Sequence, residues 1–237
     1  IYDGATSSWK IYLDDEYDVQ PVHDDIKTAF SYLAMEIIAT DQLNGAINDL
    51  NCILRHELHA YDSVTETWVP AYSNNPAAVF VDILLNPVRN RFPIANNVDW
   101  NNLSNVPIDW ARIEEWYEYC EQEGFSCNGV LGDSSTVKDE LEKVAITGRA
   151  SFTMKDGKYS VIIDKPQATP VQLFTPRNSH SFSANRVFLD RPDGVRVKFT
   201  NKDAGYQPDE IRIDFSDSAF NVYDEMQLTY ITSARQA

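Results

Sequence analysis

His56 and His59, in the stretch HELH, are the nearest approach to a metal-binding pair in this chain of 237 residues. A zinc-protease helix needs HExxH, because positions i and i+4 turn both imidazoles toward the metal from one face. Here the second His falls at i+3. The surrounding NCILRHELHAYD also reads at least as well as a strand, in which His56 and His59 point to opposite faces. Ser179, His180 and Ser181 adjoin one another in NSHSF, but adjacency is not a triad. Nucleophilic catalysis needs a base oriented by a third group and a strained, exposed nucleophile, and no GxSxG is present. The 36 Asp and Glu residues include no pair that spacing alone selects for glycoside cleavage. DDEYD at 14–18 and NKDAGYQPDE at 201–210 lack the alternating ligand order of a calcium loop. No Gly-rich loop suited to phosphate is present either. Cys52, Cys120 and Cys127 are odd in number and form no CxxC, unlike the framework of a disulfide-stapled secreted domain. Cys120 reads as a small buried hydrophobe in a helical pattern with Trp116 and Tyr117. No catalytic, cofactor-binding or metal-binding residue is therefore assigned.

The elements around these residues are easier to read. SSWKIYL is a short strand, and the absence of an initiator Met at Ile1 suggests a piece excised from a longer polypeptide. DDIKTAFSYLAMEIIATDQL mixes a helix cap with residues that favour a strand, and NCILRHEL and TETWVPAY read as strands joined by AYDSVTE. Three helices follow. NNPAAVFVDILLNP has Asn75 as N-cap and Pro76 in the first turn, and stops at Asn86-Pro87. The second is placed to be capped by Asp109 and ended by Gly124, with Ile113, Trp116, Tyr117 and Cys120 as its apolar stripe. The third is capped near Ser134 or Ser135, turns Val137, Leu141, Val144 and Ala145 inward, and ends at Gly148.

A hairpin comes next. In ASFTMKDGKYSVII the Asp156-Gly157 pair suits a type I′ turn, whose two central residues need positive φ. That turn sets Lys155 opposite Lys158, Met154 opposite Tyr159 and Phe152 opposite Val161. Phe152, Met154, Tyr159, Val161 and Ile163 then share one greasy face. Beyond Pro170, VQLFT, SFSANRVFL, GVRVKFTN, DEIRIDF and EMQLTYI read as strands. Runs of strands flanking a run of helices indicate α+β and not repeated βαβ units. The organisation expected is 1–75 as a β-rich portion, 76–170 as an α+β portion, and 171–237 as a returning β-rich segment.

The formal charge of −16 disfavours long-range attraction to nucleic acid or to anionic membranes, and no basic stripe offsets it. No apolar run is long enough to form a transmembrane segment.

Several ordered blocks resemble a known family. YLAMEIIATDQLNGAINDLNCILR is similar to the A-T-(D/G/N)-Q-L-N-G stretch and following apolar strand of the phage and prophage tail-tip host-specificity proteins, relatives of the lambda tail-tip attachment protein. TETWVPAYSNNPAAVFVDILLNP resembles that family's next segment, a Trp-containing strand leading into an NPA helix start. Residues 108–178 then resemble its most recognisable part: a helix ending in YC, an F-x-x-N strand, a further helix, the GRA turn, a DGK hairpin and an LFTPxN strand. The likeness covers about residues 25–215, without the upstream hub segment and the downstream fibronectin-like modules of longer relatives.

The resemblance implies β-rich hub-like domains with the helical segment inserted between strand-rich N- and C-terminal parts. It implies a non-enzymatic structural component of the virion that closes the tail tube, is assembled in the bacterial cytoplasm, and needs no cofactor. Its implied partners are other tail-tip and tail-tube proteins and a host surface receptor. The assembled form would be a homotrimer, and the isolated fragment a monomer if the missing flanks hold the oligomer together. The negative charge could line a channel through which DNA passes without sticking. Two other readings predict different features. A glycan- or receptor-binding module needs exposed aromatics, with Trp9, Trp68 and Trp100 the candidates. A cell-wall or polysaccharide hydrolase needs two carboxylates facing across a cleft.

Overall fold

Local capping chemistry accounts for the three helices. Asn75 accepts a hydrogen bond from Ala77 N at 2.9 Å and starts α1 (Pro76–Leu85), where Pro76 occupies a position whose N–H would have no partner. Asn75 also donates through Nδ2 to Tyr117 O and to Glu121 Oε1, each at 3.1 Å, so the cap joins α1 to α2. At the far end Asn86 is extended, as expected before the proline that follows in the sequence. α2 (Trp110–Glu123) begins after Asp109 and ends at Gly124, which adopts the left-handed conformation with φ 72°. Its stripe of Ile113, Trp116, Tyr117 and Cys120 is buried as expected. Asp109 occupies the N-cap position without capping through its side chain. Its carboxylate instead accepts from the buried Ser160 Oγ at 3.0 Å.

α3 (Val137–Thr147) corrects the cap expected at Ser134 or Ser135. Thr136 is the N-cap, and it forms a reciprocal capping box with Asp139. Ser135 Oγ bonds Glu140 Oε1 instead. Leu141, Val144 and Ala145 face inward, but Val137 lies in the first turn beyond the core and is 36% exposed. Gly148 does follow the helix, yet for a different reason from the left-handed cap at Gly124. Its φ is −101°, and Arg149 takes the positive φ of 49°. Trp116 Nε1 donates to Gly148 O at 2.8 Å, and a Cβ at 148 would lie 2.6 Å from Trp116 Nε1 and 2.8 Å from Cys120 Sγ. Close approach, not left-handed geometry, requires glycine there.

The computed structural model describes residues 2–3, 8–9, 53–86, 98–131, 135–170, 172–181, 183–185, 192–215 and 222–237. Two compact units divide between Leu54 and Arg55. In the first, β1 (Tyr2–Asp3) pairs antiparallel with β2 (Ser8–Trp9). The strand expected near 32–38, the DDEYD stretch and Cys52 lie outside the described residues.

The second unit holds the helices and two hairpins. β3 (Glu57–Asp62) pairs antiparallel with β4 (Thr67–Tyr72). The strand expected at NCILRHEL therefore begins only at Glu57 among the described residues. It runs on to Asp62, whose carboxylate takes Val64 N and Thr65 Oγ1, each at 2.9 Å, to form the turn. β5 (Ala150–Lys155) and β6 (Lys158–Ile163) pair in the expected register, with Asp156 and Gly157 at φ 52° and 76°. The greasy face is buried only near its base: Val161 and Ile163 are buried, whereas Met154 by the turn is 56% exposed. Residues 107–109 extend this hairpin, because Asp109 N donates to Tyr159 O at 2.9 Å and Tyr159 N to Pro107 O at 2.8 Å. The core between helices and hairpins includes Phe80, Ile108, Ile113, Trp116, Leu141 and Val144.

A three-stranded sheet follows, in the order β8–β7–β9. β7 (Gly194–Asn201) pairs antiparallel with β8 (Gln207–Asp214) and parallel with β9 (Tyr223–Gln227). Several strand expectations fail, beginning with the F-x-x-N stretch at 125–128, which is not strand. Residues 172–175 of VQLFT lead into a turn, and β9 stops at Gln227, so LTYI is not strand. In SFSANRVFL, residues 181 and 183–185 are not strand, and the others lie outside the described residues. The architecture is α+β, with the helices lying between strand-bearing segments. No described helix is long and apolar enough to cross a membrane.

Candidate functional site

The residues that first suggested chemistry are dispersed. His59, in β3, stacks face to face on Trp100, with ring centroids 3.5 Å apart and planes 5° apart. Burial pushes the His59 imidazole below its ordinary pKa, against the pull of Asp82 and Glu57. His56, just before the strand, has Nε2 3.7 Å from Asp82 Oδ2. Among the described residues, no group of three or more His, Cys, Asp or Glu side chains is arranged to hold a metal. Ser179 Oγ donates to Thr175 O, so this hydroxyl serves the exposed turn that carries it. Asn201, in the other candidate calcium stretch, caps a 3-10 turn and bonds Asp209 Oδ2 at 2.7 Å through Nδ2.

Trp68 is only 5% exposed, packs against Tyr61, Trp110 and Tyr117, and donates from Nε1 to Glu114 Oε1 at 3.3 Å. It offers no platform for a sugar. Trp100 is half-buried under its stack with His59, and the Trp9 side chain lies outside what is described. The carboxylates of α2 diverge in character. Burial raises the Glu114 pKa, opposed by the Trp68 hydrogen bond and assisted by Glu66 and Glu118. Glu115 is lowered, first by its hydrogen bond from Lys165 and then by Arg112.

The densest polar arrangement is a clamp on the C-terminal segment. Glu140 is buried on the inner face of α3 and accepts from Ser135, from Lys143 Nζ at 2.8 Å and from Tyr230 OH. Burial pushes its carboxyl pKa up. The Lys143 ammonium and the two hydroxyl donors outweigh that effect and hold it below the ordinary value. Gln236 donates to Ser126 O at 2.9 Å and Thr147 O at 2.8 Å, while its own oxygen takes Ser126 N at 3.2 Å. Asn128 N donates to Tyr230 O at 2.9 Å, and Asn128 Nδ2 to Thr232 Oγ1 at 3.0 Å. Gly129 makes room for the Tyr230 ring: a Cβ there would lie 2.2 Å from Tyr230 Cδ1. Beneath this strap Cys127 is buried, and burial pushes its thiol up to about 12. Such a thiol is inert at neutral pH. The clamp fastens the C-terminal segment to α3 and to the loop after α2.

Two other surfaces carry exposed apolar side chains. Residues 164–170 and 172–181 follow the second hairpin, where Asp164 N donates to Arg149 O at 2.8 Å and Lys165 Nζ to Glu115 Oε1 at 2.5 Å. The turn at 175–178 is preorganised: Thr175 N donates to Asn178 Oδ1 at 2.6 Å, and Asn178 Nδ2 to Leu173 O at 2.7 Å. Leu173 and Phe174 are 75% and 73% exposed there. The second surface is the three-stranded sheet. Its register places Val195, Val197, Phe199, Ile211, Ile213 and Met226 on one face. Arg196, Lys198 and Arg212 lie on the other face, where Lys198 pairs with Glu225 at 2.7 Å and both arginines approach the Tyr223 ring.

No protein-family model matches the chain, and the curated proteins include none that matches it. The clamp residues Glu140, Tyr230 and Gln236 carried no warning in the sequence. Each partner lies about 90 to 110 positions away, and only the conspicuous burial of a Glu beside Leu141 on α3 marks the site.

Proposed function

We propose that this chain is a non-enzymatic structural component of a phage or prophage tail tip, part of the hub that closes the tail tube and links it to receptor-binding proteins. One observation carries the proposal: the ordered run of blocks from the helix ending in YC, through GRA and the DGK hairpin, to LFTPRN. Each block falls on a backbone feature with a physical requirement. The GRA stretch holds the glycine against which Trp116 packs, and Asp156-Gly157 supplies the two positive-φ turn residues. In LFTPRN, Asn178 ties the turn together. Spacing among such requirements is difficult to reproduce by chance.

A structural role is also consistent with the chemistry. Among the described residues, the buried carboxylates Glu140 and Asp193 bond to distant parts of the chain, and Trp68, one candidate for sugar stacking, is in the core. In the assembled virion the chain would act as a homotrimer alongside tail-tube and other tail-tip proteins.

Quantitative mass spectrometry of purified tailed particles tests the assignment. The chain should copurify at the copy number of a single trimer per particle. Its absence from intact particles would contradict the assignment. Purified chain should also release no sugar or peptide from cell walls, and measurable release would favour the hydrolase reading instead.

A further inference from the structure

We propose that residues 228–237 form a latch, and that its release from the helices lets the β7–β8–β9 sheet move away as a folded lobe. Adjacent residues of this strap serve different parts of the molecule. Tyr230 packs against the core shared by helices and hairpins, with its OH on Glu140. Ile231 is buried outside that core, as are Val197 and Phe199 of the sheet. On the sheet side, Leu228 N donates to Lys198 O at 2.9 Å and Lys202 N to Thr232 O at 3.0 Å. The strap therefore runs on beside the end of β7. On the helix side, Asn128 holds Tyr230 O and Thr232 Oγ1, and Gln236 holds Ser126 O and Thr147 O.

The sheet has its own means of staying folded. Two ladders join its strands, and Asp193 takes Val222 N at 2.9 Å. Among the described residues, no hydrogen bond or ion pair ties β7, β8 or β9 directly to the helices or to the two hairpins. Polar attachment to the body runs through the strap. Its bond from Tyr230 to the Glu140 carboxylate is charge-assisted, and so stronger than the neutral ones beside it. Segments held this way open locally, at less cost than unfolding the whole chain.

Two buried thiols report the motion. Cys127 lies beneath the strap, whereas Cys120 is fully buried beside Gly148. Tyr230→Phe removes only the hydroxyl. In the full chain it should speed alkylation of Cys127 about tenfold and leave Cys120 unchanged, as read by tandem mass spectrometry. Gly129→Ala should do the same from the other side, because its methyl would lie 2.2 Å from Tyr230 Cδ1. Amide exchange separates the two edges of the strap. Asn128 N should lose protection in both variants, while Lys202 N and the amides of β7 keep theirs. Small-angle scattering of Tyr230→Phe with Gln236→Ala should show a larger radius of gyration than the parent. Equal labelling of both cysteines would mean general unfolding and would overturn the latch. Loss of protection at Lys202 together with Asn128 would also overturn it, since the strap would then leave the sheet as well. Variants indistinguishable from the parent would do so too. None of these outcomes depends on whether the chain belongs to a tail tip.

Discussion

Glu140 shows how a buried charge can be tolerated without becoming catalytic. Its carboxylate is taken from water but receives two hydroxyl donors and an ammonium, so the ionised form remains the favoured one. Because its folded pKa lies below the unfolded value of about 4.3, its stabilisation is fully present above that value and is lost as pH falls through the folded one. The hydrogen-exchange protection of residues 230–237, taken relative to the intrinsic rate at each pH, should therefore fall on acidification below about pH 4.5, where the unfolded carboxyl binds protons. In Glu140→Gln that acid-dependent loss of protection should be much smaller. An unchanged pH profile in the variant would remove Glu140 as the group responsible. Gly148 makes a second residue-scale prediction. A methyl group there collides with Trp116 and Cys120, and Gly148→Ala should destabilise the protein by about 2 kcal/mol, the usual scale of core overpacking. Thermal unfolding would measure it, and a melting temperature equal to that of the parent would contradict the close-packing account.

At the scale of elements, short-range chemistry was legible and long-range chemistry was not. Asn75-Pro76, Gly124 and Asp156-Gly157 each act on backbone within a few positions, and each occupies the place read for it in the sequence. The cap of α3 is an instructive near miss. Ser135 and Thr136 have the same capping chemistry, and only Thr136 stands three residues before Asp139, the spacing that lets both side chains reach back. Thr136→Ala should therefore cost about 1 kcal/mol in denaturant unfolding. A loss within error of zero would show that the capping box adds nothing measurable. The segments misread as strand, 172–175 and 228–231, are apolar or β-branched enough to pair, but other contacts claim them first. Asn178 folds the first locally into a turn, and the second is held by Asn128, in the loop after α2, and by Glu140 of α3. Pattern within a short window cannot anticipate a partner about a hundred residues away.

For the whole molecule, segregation of helices from strands was enough to give the α+β class. No comparable regularity in the sequence signals a reaction. Of the described residues that invited a chemical reading, His59 is in a stacking pair, Ser179 in an exposed turn, and Cys120 and Cys127 in the buried interior. Among the described residues, the large apolar side chains that face solvent include Leu173 and Phe174 on the 172–181 turn and Ile213 and Met226 at the rim of the sheet. Immunogold electron microscopy of tailed particles, with an antibody raised against this chain, tests the tail-tip assignment most directly. The assignment predicts gold at the end of the tail distal to the head. Label on the head or along the tail shaft, or particles that carry none, would contradict it.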